Sequence, residues 1–261
     1  MSDFLDRLAE DARRRPFPPR TREADAPRSL ARAILRRRES GHRLAVIAEI
    51  KRRSPSAGAL APEADLARRA ITYEAAGAAA ISVLTEPRHW GGSLEDLDRV
   101  RSTVSIPVLC KDVITTEAHV AAAHGHGADA ILLIAEALDD ALLARLMRKA
   151  ASLGLEVLVE AHDVAAFGRA VRSGARLVGA NARDLRHPET IDRGRARLLH
   201  SFVAPGQLFV AESGISSADD LPELPARVDA ILVGTALMRL EDPAPLVFAL
   251  AHWKGAPVSS R

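Results

Sequence analysis

The chain has 261 residues, enough for one large α/β barrel or two smaller domains, and its 48% hydrophobic content supports a sizeable core and excludes a globally disordered protein. A single cysteine, Cys110, excludes a disulfide framework and indicates a reducing compartment. The sequence pI is about 9.0 but the formal net charge is only +2, so charge gives little support for a nucleic-acid partner.

Residues 1–43 differ in pattern from the rest of the chain. We predict one helix over Ser2–Arg15, ended by a proline-rich stretch, and a second over Ser29–Arg38. The N-terminal stretch has no apolar segment of the kind found in signal peptides, and no apolar run approaches the length of a membrane span. We therefore expect a cytoplasmic protein in which residues 1–43 form an N-terminal helical extension packed on a single catalytic domain, residues 44–261.

From residue 44 onward, short apolar strands alternate with amphipathic helices. The predicted strands are Leu44–Ile50, Ala79–Leu84, Val108–Cys110, Ala130–Ile134, Glu156–Val159, Leu177–Ala180, Leu208–Ala211 and Ala230–Val233. The predicted helices are Pro62–Ala76, Leu94–Arg101, Thr116–His124, Asp139–Ser152, Val164–Ser173, Gly194–Phe202, Ser217–Leu221 and Pro243–His252. A doubly wound open sheet shows a similar alternation, but eight strand–helix units favour a closed (β/α)8 TIM barrel.

Polar residues follow the predicted strands directly. In a barrel of this kind the carboxyl ends of the strands meet at one end, where the active site lies. The residues at these ends are Glu49, Lys51, Ser54, Thr85, Glu86, Trp90, Lys111, Asp112, Glu136, Glu160, His162, Asn181, Arg183, Glu212, Ser213, Gly214, Gly234 and Thr235. Glu49 and Lys51 are two residues apart and so point to the same side of an extended chain, which for this pair alone also fits a surface ion pair. The whole set contains more charged and polar side chains than the solvation of the strand ends requires, and we therefore predict an active site.

Lys111 and Glu160 form the natural proton-transfer pair of this set. Lys51 and Lys111 are two of only four lysines among 36 basic residues, and a lysine, unlike an arginine, can give up its proton. We expect neighbouring positive groups to lower the pKa of Lys111 and make it a usable acid. We expect apolar surroundings to raise the pKa of Glu160 and make it a usable base.

The last two strand ends have the composition of a phosphate site. Gly214 and Gly234 would let backbone N–H groups approach an anion closely. Residues 235–239 predict the short extra helix whose N-terminus holds a phosphate in many barrels, although ordinary turns with glycine are the alternative. The sequence contains no metal-ligand spacing and no dinucleotide fingerprint, so we expect neither a metal nor a nucleotide cofactor.

From Leu44 to Arg239 the chain resembles the indole-3-glycerol phosphate synthase family of tryptophan biosynthesis. The resemblance rests on segments that stand in family order: AEIKRRSPSAG, AISVLTEPRHWGGS, PVLCKDV, ADAILLI, EVLVEAH, GANARDL, VAESGI and LVGTALMR. AEIKRRSPS is the most specific of them. Residues 1–43 match only loosely, where the family carries extra N-terminal helices over the barrel.

The resemblance implies a carboxy-lyase that acts without a cofactor. Its substrate would be 1-(2-carboxyphenylamino)-1-deoxyribulose 5-phosphate, whose ring closure with loss of carbon dioxide and water gives indole-3-glycerol phosphate. The substrate's own aniline nitrogen would drive the electrons. The implied partner is therefore a phosphorylated small molecule, with no nucleic acid and no membrane, and we expect a monomer or a weak homo-oligomer.

The resemblance also assigns roles to individual residues. Lys111 would be the general acid of ring closure, and Glu160 the general base or proton shuttle. Lys51 would hold substrate and serve as the acid in the dehydration, and Glu49 and Asn181 would orient these groups. The implied catalytic set is completed by Ser213, which would also contact substrate. The implied substrate-binding residues, which include the phosphate contacts, the carboxylate partner and the ring walls, are Ser54, Trp90, Leu132, Arg183, Gly214, Gly234 and Thr235.

The sequence departs from the family pattern beside the implied acid. Val113 replaces a usual phenylalanine, and Trp90 stands where phenylalanine is commoner. We therefore expect altered packing around the aromatic ring of the substrate, whereas the implied acid, Lys111, is retained. One alternative is another phosphate-binding barrel such as phosphoribosylanthranilate isomerase, which should lack Lys111 and Glu160 together. The other is a non-catalytic protein on the same fold, whose arginine-rich N-terminal segment would bind nucleic acid in a salt-dependent way.

Overall fold

The computed structural model describes residues 3–21, 27–55, 58–61 and 65–255, with a closed barrel of eight parallel strands at its centre. The strands are β1 (Ala45–Ile50), β2 (Arg53–Ser54), β3 (Gly58–Ala59), β4 (Ala80–Leu84), β5 (Val108–Lys111), β6 (Ala130–Ile134), β7 (Glu156–Ala161), β8 (Leu177–Asn181), β9 (Leu208–Glu212) and β10 (Ala230–Val233). Strands β2 and β3 form a separate antiparallel hairpin after β1.

The barrel closes because β1 pairs with β4 on one side and with β10 on the other. The strand order around it is β1–β10–β9–β8–β7–β6–β5–β4. No barrel strand is therefore left with a free edge, and the predicted barrel is confirmed over the open-sheet alternative. Each barrel strand begins and ends within two residues of its prediction.

Helices alternate with the barrel strands over the described residues. They are α1 (Phe4–Arg14), α2 (Leu30–Glu39), α3 (Leu66–Ala75), α4 (Leu94–Thr103), α5 (Glu117–Gly125), α6 (Asp140–Ser152), α7 (Val164–Arg172), α8 (Arg195–Leu199), α9 (Thr235–Met238) and α10 (Ala244–Ala251). The helix predicted over Ser217–Leu221 is present as a 3₁₀ helix over Ala218–Glu223 and not as an α-helix. Pro222 explains the difference, because a proline removes the N–H that an α-helix needs and its ring clashes with the carbonyl four residues earlier.

Two predicted helix starts, Ser2 and Pro62, lie outside the described residues. In the described parts, Asp3 caps α1 and Asp65 caps α3, each by accepting hydrogen bonds from backbone N–H groups of the first turn. None of the helices in the described ranges is both long enough and apolar enough to span a membrane.

The strands are apolar on both faces because each strand separates two cores. In β8, Val178 and Ala180 pack with the surrounding helices, whereas Leu177 belongs to the core inside the barrel. This alternation continues along the strand, so Gly179 and Asn181 also face the interior. At the carboxyl ends of the strands the interior positions change from apolar to charged or polar residues, and this change places the site.

Helix α2 covers the amino-terminal end of the barrel. The carboxylate of Glu156, the first residue of β7, accepts hydrogen bonds from Ser29 Oγ at 2.7 Å and from the backbone N–H of Ala31 at 2.8 Å. At the other end of α2, Arg38 forms an ion pair with Asp229, which precedes β10. These contacts tie the helix to two strands of the barrel.

Helix α1 lies at the opposite end, beside the carboxyl ends of the strands. Just beyond it, Arg15 makes a bidentate ion pair with Asp112, at 2.6 and 3.1 Å, and Asp112 directly follows β5. The ring of Phe4 lies 6.5 Å from that of Trp90, centroid to centroid. The N-terminal helices therefore contact both ends of the barrel.

Candidate active site

A lysine held between two buried carboxylates forms the centre of the site. Lys111 ends β5, and its Nζ donates hydrogen bonds to Glu160 Oε2 at 2.8 Å and to Glu212 Oε2 at 3.1 Å. Glu160 lies near the end of β7 and Glu212 ends β9. The side chain of Lys111 is 13% exposed, and those of Glu160 and Glu212 are 2% and 1% exposed. The three groups are thus sheltered from water and electrostatically coupled.

The charges around Lys111 correct one expectation from the sequence. Burial alone would lower the pKa of Lys111, but Glu160, Glu212 and Glu49 outweigh burial and raise that pKa above its usual value. The sequence prediction of a lowered pKa is therefore wrong, because carboxylates and not cations surround the ammonium group. Lys111 is a fully protonated hydrogen-bond donor at neutral pH.

Lys111, Glu160 and Glu212 form the proton-transfer cluster, and Glu212 is a carboxyl of this cluster with a raised pKa. Burial raises its pKa to about 8, with Lys111 opposing the shift and Glu160 adding to it. A group with this pKa holds its proton over most of the neutral range and can exchange it there. The sequence prediction assigned no role to Glu212, although it placed the residue at the end of the seventh strand.

A second ion pair stands beside the first. Lys51 Nζ lies 2.5 Å from Glu49 Oε1, and the two side chains are 12% and 3% exposed. They leave the end of β1 on the same side, as their two-residue spacing predicted. At this burial the pair is not the solvent-exposed ion pair that was the alternative for these residues.

Asn181 forms hydrogen bonds both to Glu160 and to Ser213. Its Nδ2 donates to Glu160 Oε1 at 3.3 Å, and its Oδ1 accepts from Ser213 Oγ at 2.9 Å and from the backbone N–H of Arg183 at 2.9 Å. Ser213 has a φ of 65°, a left-handed conformation that is costly for a residue with a side chain. Strain of this kind is typical of functional sites, where surrounding contacts maintain it.

A cavity lies among these side chains at the carboxyl ends of the strands. One end of it, called the far end below, combines glycine turns with cationic side chains. Gly214 and Gly234 line it together with Thr235, which begins α9, and with Arg239. Arg183, which follows β8, lines the cavity as well. Burial lowers the pKa of the Arg183 guanidinium, with Glu49 opposing, but arginine remains protonated at neutral pH. The short helix predicted over residues 235–239 is thus present.

The near end of the cavity is apolar. Leu132, Val113 and Trp90 are buried and line it. The loop that carries Trp90 is fixed by Glu86, whose carboxylate accepts hydrogen bonds from the backbone N–H groups of residues 88–90 at 2.7–3.2 Å. The cavity has a volume of about 240 Å³ and is lined by these apolar walls, by Lys111 and by the glycine turns.

Sequence comparison identifies the family. The family described as indole-3-glycerol phosphate synthase matches residues 5–250. This chain belongs to the indole-3-glycerol phosphate synthase family. An indole-3-glycerol phosphate synthase of Parafrankia sp. (strain EAN1pec) is 52% identical over 215 residues, which cover 80% of each chain. Another, of Beutenbergia cavernae, is 46% identical over 250 residues, covering 89% of this chain and 91% of the relative.

The synthase family is a carboxy-lyase of tryptophan biosynthesis and acts on a phosphorylated small molecule. The resemblance that the sequence motifs indicated is confirmed. Among solved structures, thiamine phosphate pyrophosphorylase from Pyrococcus furiosus is similar, with a TM-score of 0.60, 20% identity, and coverage of 81% of this chain and 95% of that chain. At this identity the likeness concerns the barrel fold alone.

The synthase fold brings together nearly all the residues that the sequence predicted for the site. Every predicted catalytic and substrate-binding residue lines the cavity except Ser54. Ser54 is buried in the β2–β3 hairpin next to the cavity, paired with Gly58, and its role in substrate binding stays a prediction. Among the described residues, no group of three or more His, Cys, Asp or Glu side chains is arranged to hold a metal ion.

The residue that the sequence prediction missed, Glu212, had a detectable signal. Leu208 and Val210 belong to the interior core, so the period of two along β9 brings Glu212 to the same face. An acidic residue at an interior position, two residues beyond two buried apolar ones, is more informative than an acidic residue in a turn.

Proposed function

We propose that this barrel converts 1-(2-carboxyphenylamino)-1-deoxyribulose 5-phosphate into indole-3-glycerol phosphate, carbon dioxide and water. The observation that carries the proposal is that Lys111 is hydrogen-bonded to two buried carboxylates in a cavity that is lined both by apolar side chains and by a cationic, glycine-rich segment. The aromatic ring of the substrate would lie against Trp90 and Leu132. The phosphate would lie at Gly214, Gly234 and Thr235, and Arg183 would hold the ring carboxylate.

Ring closure needs an acid at the ketone of the substrate. As the ring carbon that bears the carboxylate attacks the ketone carbon, a carbon–carbon bond forms and the ketone oxygen becomes an alkoxide. Lys111 donates its proton to this oxygen. A ketone is too weak a base to take that proton in advance, but an alkoxide is a strong base, so a lysine with a raised pKa can still deliver the proton as the charge develops.

Loss of carbon dioxide then restores the aromatic ring, because the electrons of the breaking bond neutralise the positive aniline nitrogen. Dehydration follows. Glu160 removes a proton from carbon 1 of the former sugar chain, and the hydroxyl on carbon 2 leaves as water with a proton from Lys51. Lys51 is suited to this second acid role because Glu49, at 2.5 Å, holds its ammonium group in place.

The cluster also offers a way to recharge the acid. After Lys111 has given up its proton, Glu212 is its hydrogen-bond neighbour at 3.1 Å and still carries a proton at neutral pH, because burial raises its pKa to about 8. Transfer from Glu212 to Lys111 would restore the ammonium group for the next turnover. Glu212 would then take up from solvent the one proton that decarboxylation consumes, and the proton that Glu160 removed would return to Lys51. Asn181 would hold the Glu160 carboxylate in position for the substrate through its hydrogen bond at 3.3 Å.

We propose that these steps need no cofactor, because the aniline nitrogen of the substrate supplies and then regains the electrons. We further propose that residues 44–261 are the catalytic domain, with residues 1–43 as its extension, and that the protein works in the cytoplasm as a monomer or weak homo-oligomer without a nucleic-acid partner.

The one thiol, Cys110, is free and buried, and burial raises its pKa to about 12, which makes it inert in a reducing compartment.

The test is to mix the purified protein with the carboxyphenylamino-deoxyribulose phosphate, without added metal or cofactor, and to follow the fluorescence of the indole product. The expected result is steady product formation. If no indole forms, phosphoribosylanthranilate is supplied in a separate reaction, and its isomerisation would identify the isomerase alternative. No turnover together with DNA binding that weakens steeply with salt would identify the non-catalytic alternative.

A further inference from the structure

Two interior positions at the carboxyl end of the barrel carry glycines that lie next to buried carboxylates. Gly179 lies within β8 and Gly234 directly follows β10. Gly179 is not among the glycines with a positive φ, and Gly234 has a φ of −128°. Gly179 continues β8, so any residue could adopt its conformation, whereas Gly234, at φ −128° and ψ −67°, lies outside the regions that residues with a side chain favour. Glycine also weakens a strand, because it loses more conformational entropy on folding and packs no side chain, so the reason for Gly179 must be space.

The space that each glycine leaves is filled by a carboxylate. A Cβ atom on Gly179 would lie 2.1 Å from Glu212 Oε1 and 3.3 Å from the Cβ of Glu160. A Cβ atom on Gly234 would lie 2.1 Å from Glu49 Oε1. Contacts below 3.0 Å are essentially never found for real Cβ atoms. Both carboxylates therefore occupy positions that are available only next to a glycine.

Gly179 lies on the route that Glu212 takes to the proton-transfer cluster. Strand β8 separates β7 from β9, and Gly179 is in register with Glu160 on one side and Val210 on the other. The side chain of Glu212 must lean from β9 across β8 to place its Oε2 3.1 Å from Lys111 Nζ. Glu212 Oε1, which lies over Gly179, is buried and has no hydrogen-bond partner among the described residues. The absent Cβ of Gly179 leaves the space that this oxygen occupies.

We propose that Gly179 is a positioning residue of the active site: its absent Cβ is the space that holds the Glu212 carboxylate beside Lys111 and Glu160. Gly234 stands in the same relation to Glu49. The kinetic consequences of this inference rest on the proposed function, whereas its structural consequences do not.

A single methyl group at position 179 should therefore act through Glu212. Ordinary contact begins near 3.4 Å, so Gly179→Ala would displace Glu212 Oε1 by about 1.3 Å. A shift of that size in a catalytic constellation lowers the rate by about 100-fold. Gly179 does not line the substrate cavity, so we expect kcat to fall and KM to change by less than about threefold.

The experiment is a double-mutant cycle with Gly179→Ala, Glu212→Ala and the combined variant, using the indole-fluorescence assay. In the Glu212→Ala background the crowding carboxylate is absent. The added methyl group should then cost little further activity, in contrast to the roughly 100-fold loss in the wild-type background. An equal loss in both backgrounds would overturn the inference, because Gly179 would then act independently of Glu212.

The same cycle in thermal unfolding, followed by circular dichroism, needs no substrate. Gly179→Ala should lower the unfolding midpoint of the wild type more than that of Glu212→Ala. If Gly179→Ala fails to fold while the combined variant folds, the inference stands, and if neither folds it is wrong. A wild type without turnover would refute the proposed function, yet the unfolding cycle would still decide the role of Gly179.

Gly168→Ala is the matched control. Gly168 lies in α7, and a Cβ atom there would approach only the terminal nitrogen of the flexible Arg172 side chain, at 3.2 Å. We expect unchanged kcat and KM and no loss of stability. A loss in Gly168→Ala as large as that in Gly179→Ala would show a general effect of replacing glycine and contradict the inference.

Discussion

Replacing Lys111 with methionine keeps most of the side-chain volume but removes the cation between Glu160 and Glu212. The two carboxylates are 2% and 1% exposed, so water cannot take over the role of the ammonium group. Breaking one side of a buried charge network costs about 3–5 kcal/mol when the remaining groups stay charged. When those groups are protonated, the cost falls to that of two lost hydrogen bonds, about 1–2 kcal/mol.

The cost should therefore depend on pH, with a definite sign. The pKa of Glu212 is already raised to about 8, and removing the positive charge of Lys111 raises it further. A carboxyl whose folded-state pKa is raised gives stability that is complete below its ordinary pKa and is lost as the pH rises through the folded-state value. The loss of stability in Lys111→Met should thus be smaller at pH 5 than at pH 9, by about 2 kcal/mol.

Urea unfolding of the wild type and Lys111→Met at pH 5 and pH 9, followed by tryptophan fluorescence, measures this difference. Lys149→Met is the control, because Lys149 lies near the end of α6, away from the cluster, and should change stability by less than about 0.5 kcal/mol at either pH. A loss in Lys111→Met that is equal at both pH values, or larger at pH 5, would refute this account of the cluster.

Three further predictions concern the site and its support. Glu160→Gln should slow turnover by about 100-fold or more in the indole assay, and an unchanged rate would exclude Glu160 as the base. The wild-type kcat should fall as the pH rises through about 8, because Glu212 then loses its proton; a pH–rate profile of Glu212→Gln that kept this alkaline limb would contradict the relay. Arg15→Leu should lower stability in urea unfolding by about 3 kcal/mol, because it leaves the buried Asp112 without its bidentate partner. The neighbouring, exposed Arg14→Leu should cost less than about 0.5 kcal/mol, and equal losses in the two variants would contradict the role of Arg15.

The architecture follows from patterns that are local in the sequence. Apolar runs of three to seven residues recurred at intervals that a barrel requires, and the pairing of Glu49 with Lys51 follows from the period of two along a strand. The carboxyl ends of the strands then predicted the site, since parallel strands carry their ends to one side.

What the sequence could not predict depends on contacts between distant strands. The pKa of Lys111 is set by carboxylates that arrive from β1, β7 and β9, and their distances exist only once the barrel has closed. The relation between Gly179 and Glu212 also depends on two different strands. In the sequence a glycine within a strand indicates only a less stable strand, and its role becomes clear once the side chain from the neighbouring strand is placed next to it. The type of the helix at Ala218–Glu223 has a local cause: Ser217 caps its start, but Pro222 stops an α-helix from forming and the chain forms a 3₁₀ helix.

The central claim is that Lys111 is the acid of ring closure, and one comparison tests it most directly. Substrate binding by titration calorimetry and turnover by indole fluorescence should be measured side by side for the wild type and Lys111→Ala, near pH 6 where loss of the cation costs least stability. We expect Lys111→Ala to bind substrate within a few-fold of the wild type and to lose turnover by about 1,000-fold or more. Near-normal turnover in Lys111→Ala would contradict the claim.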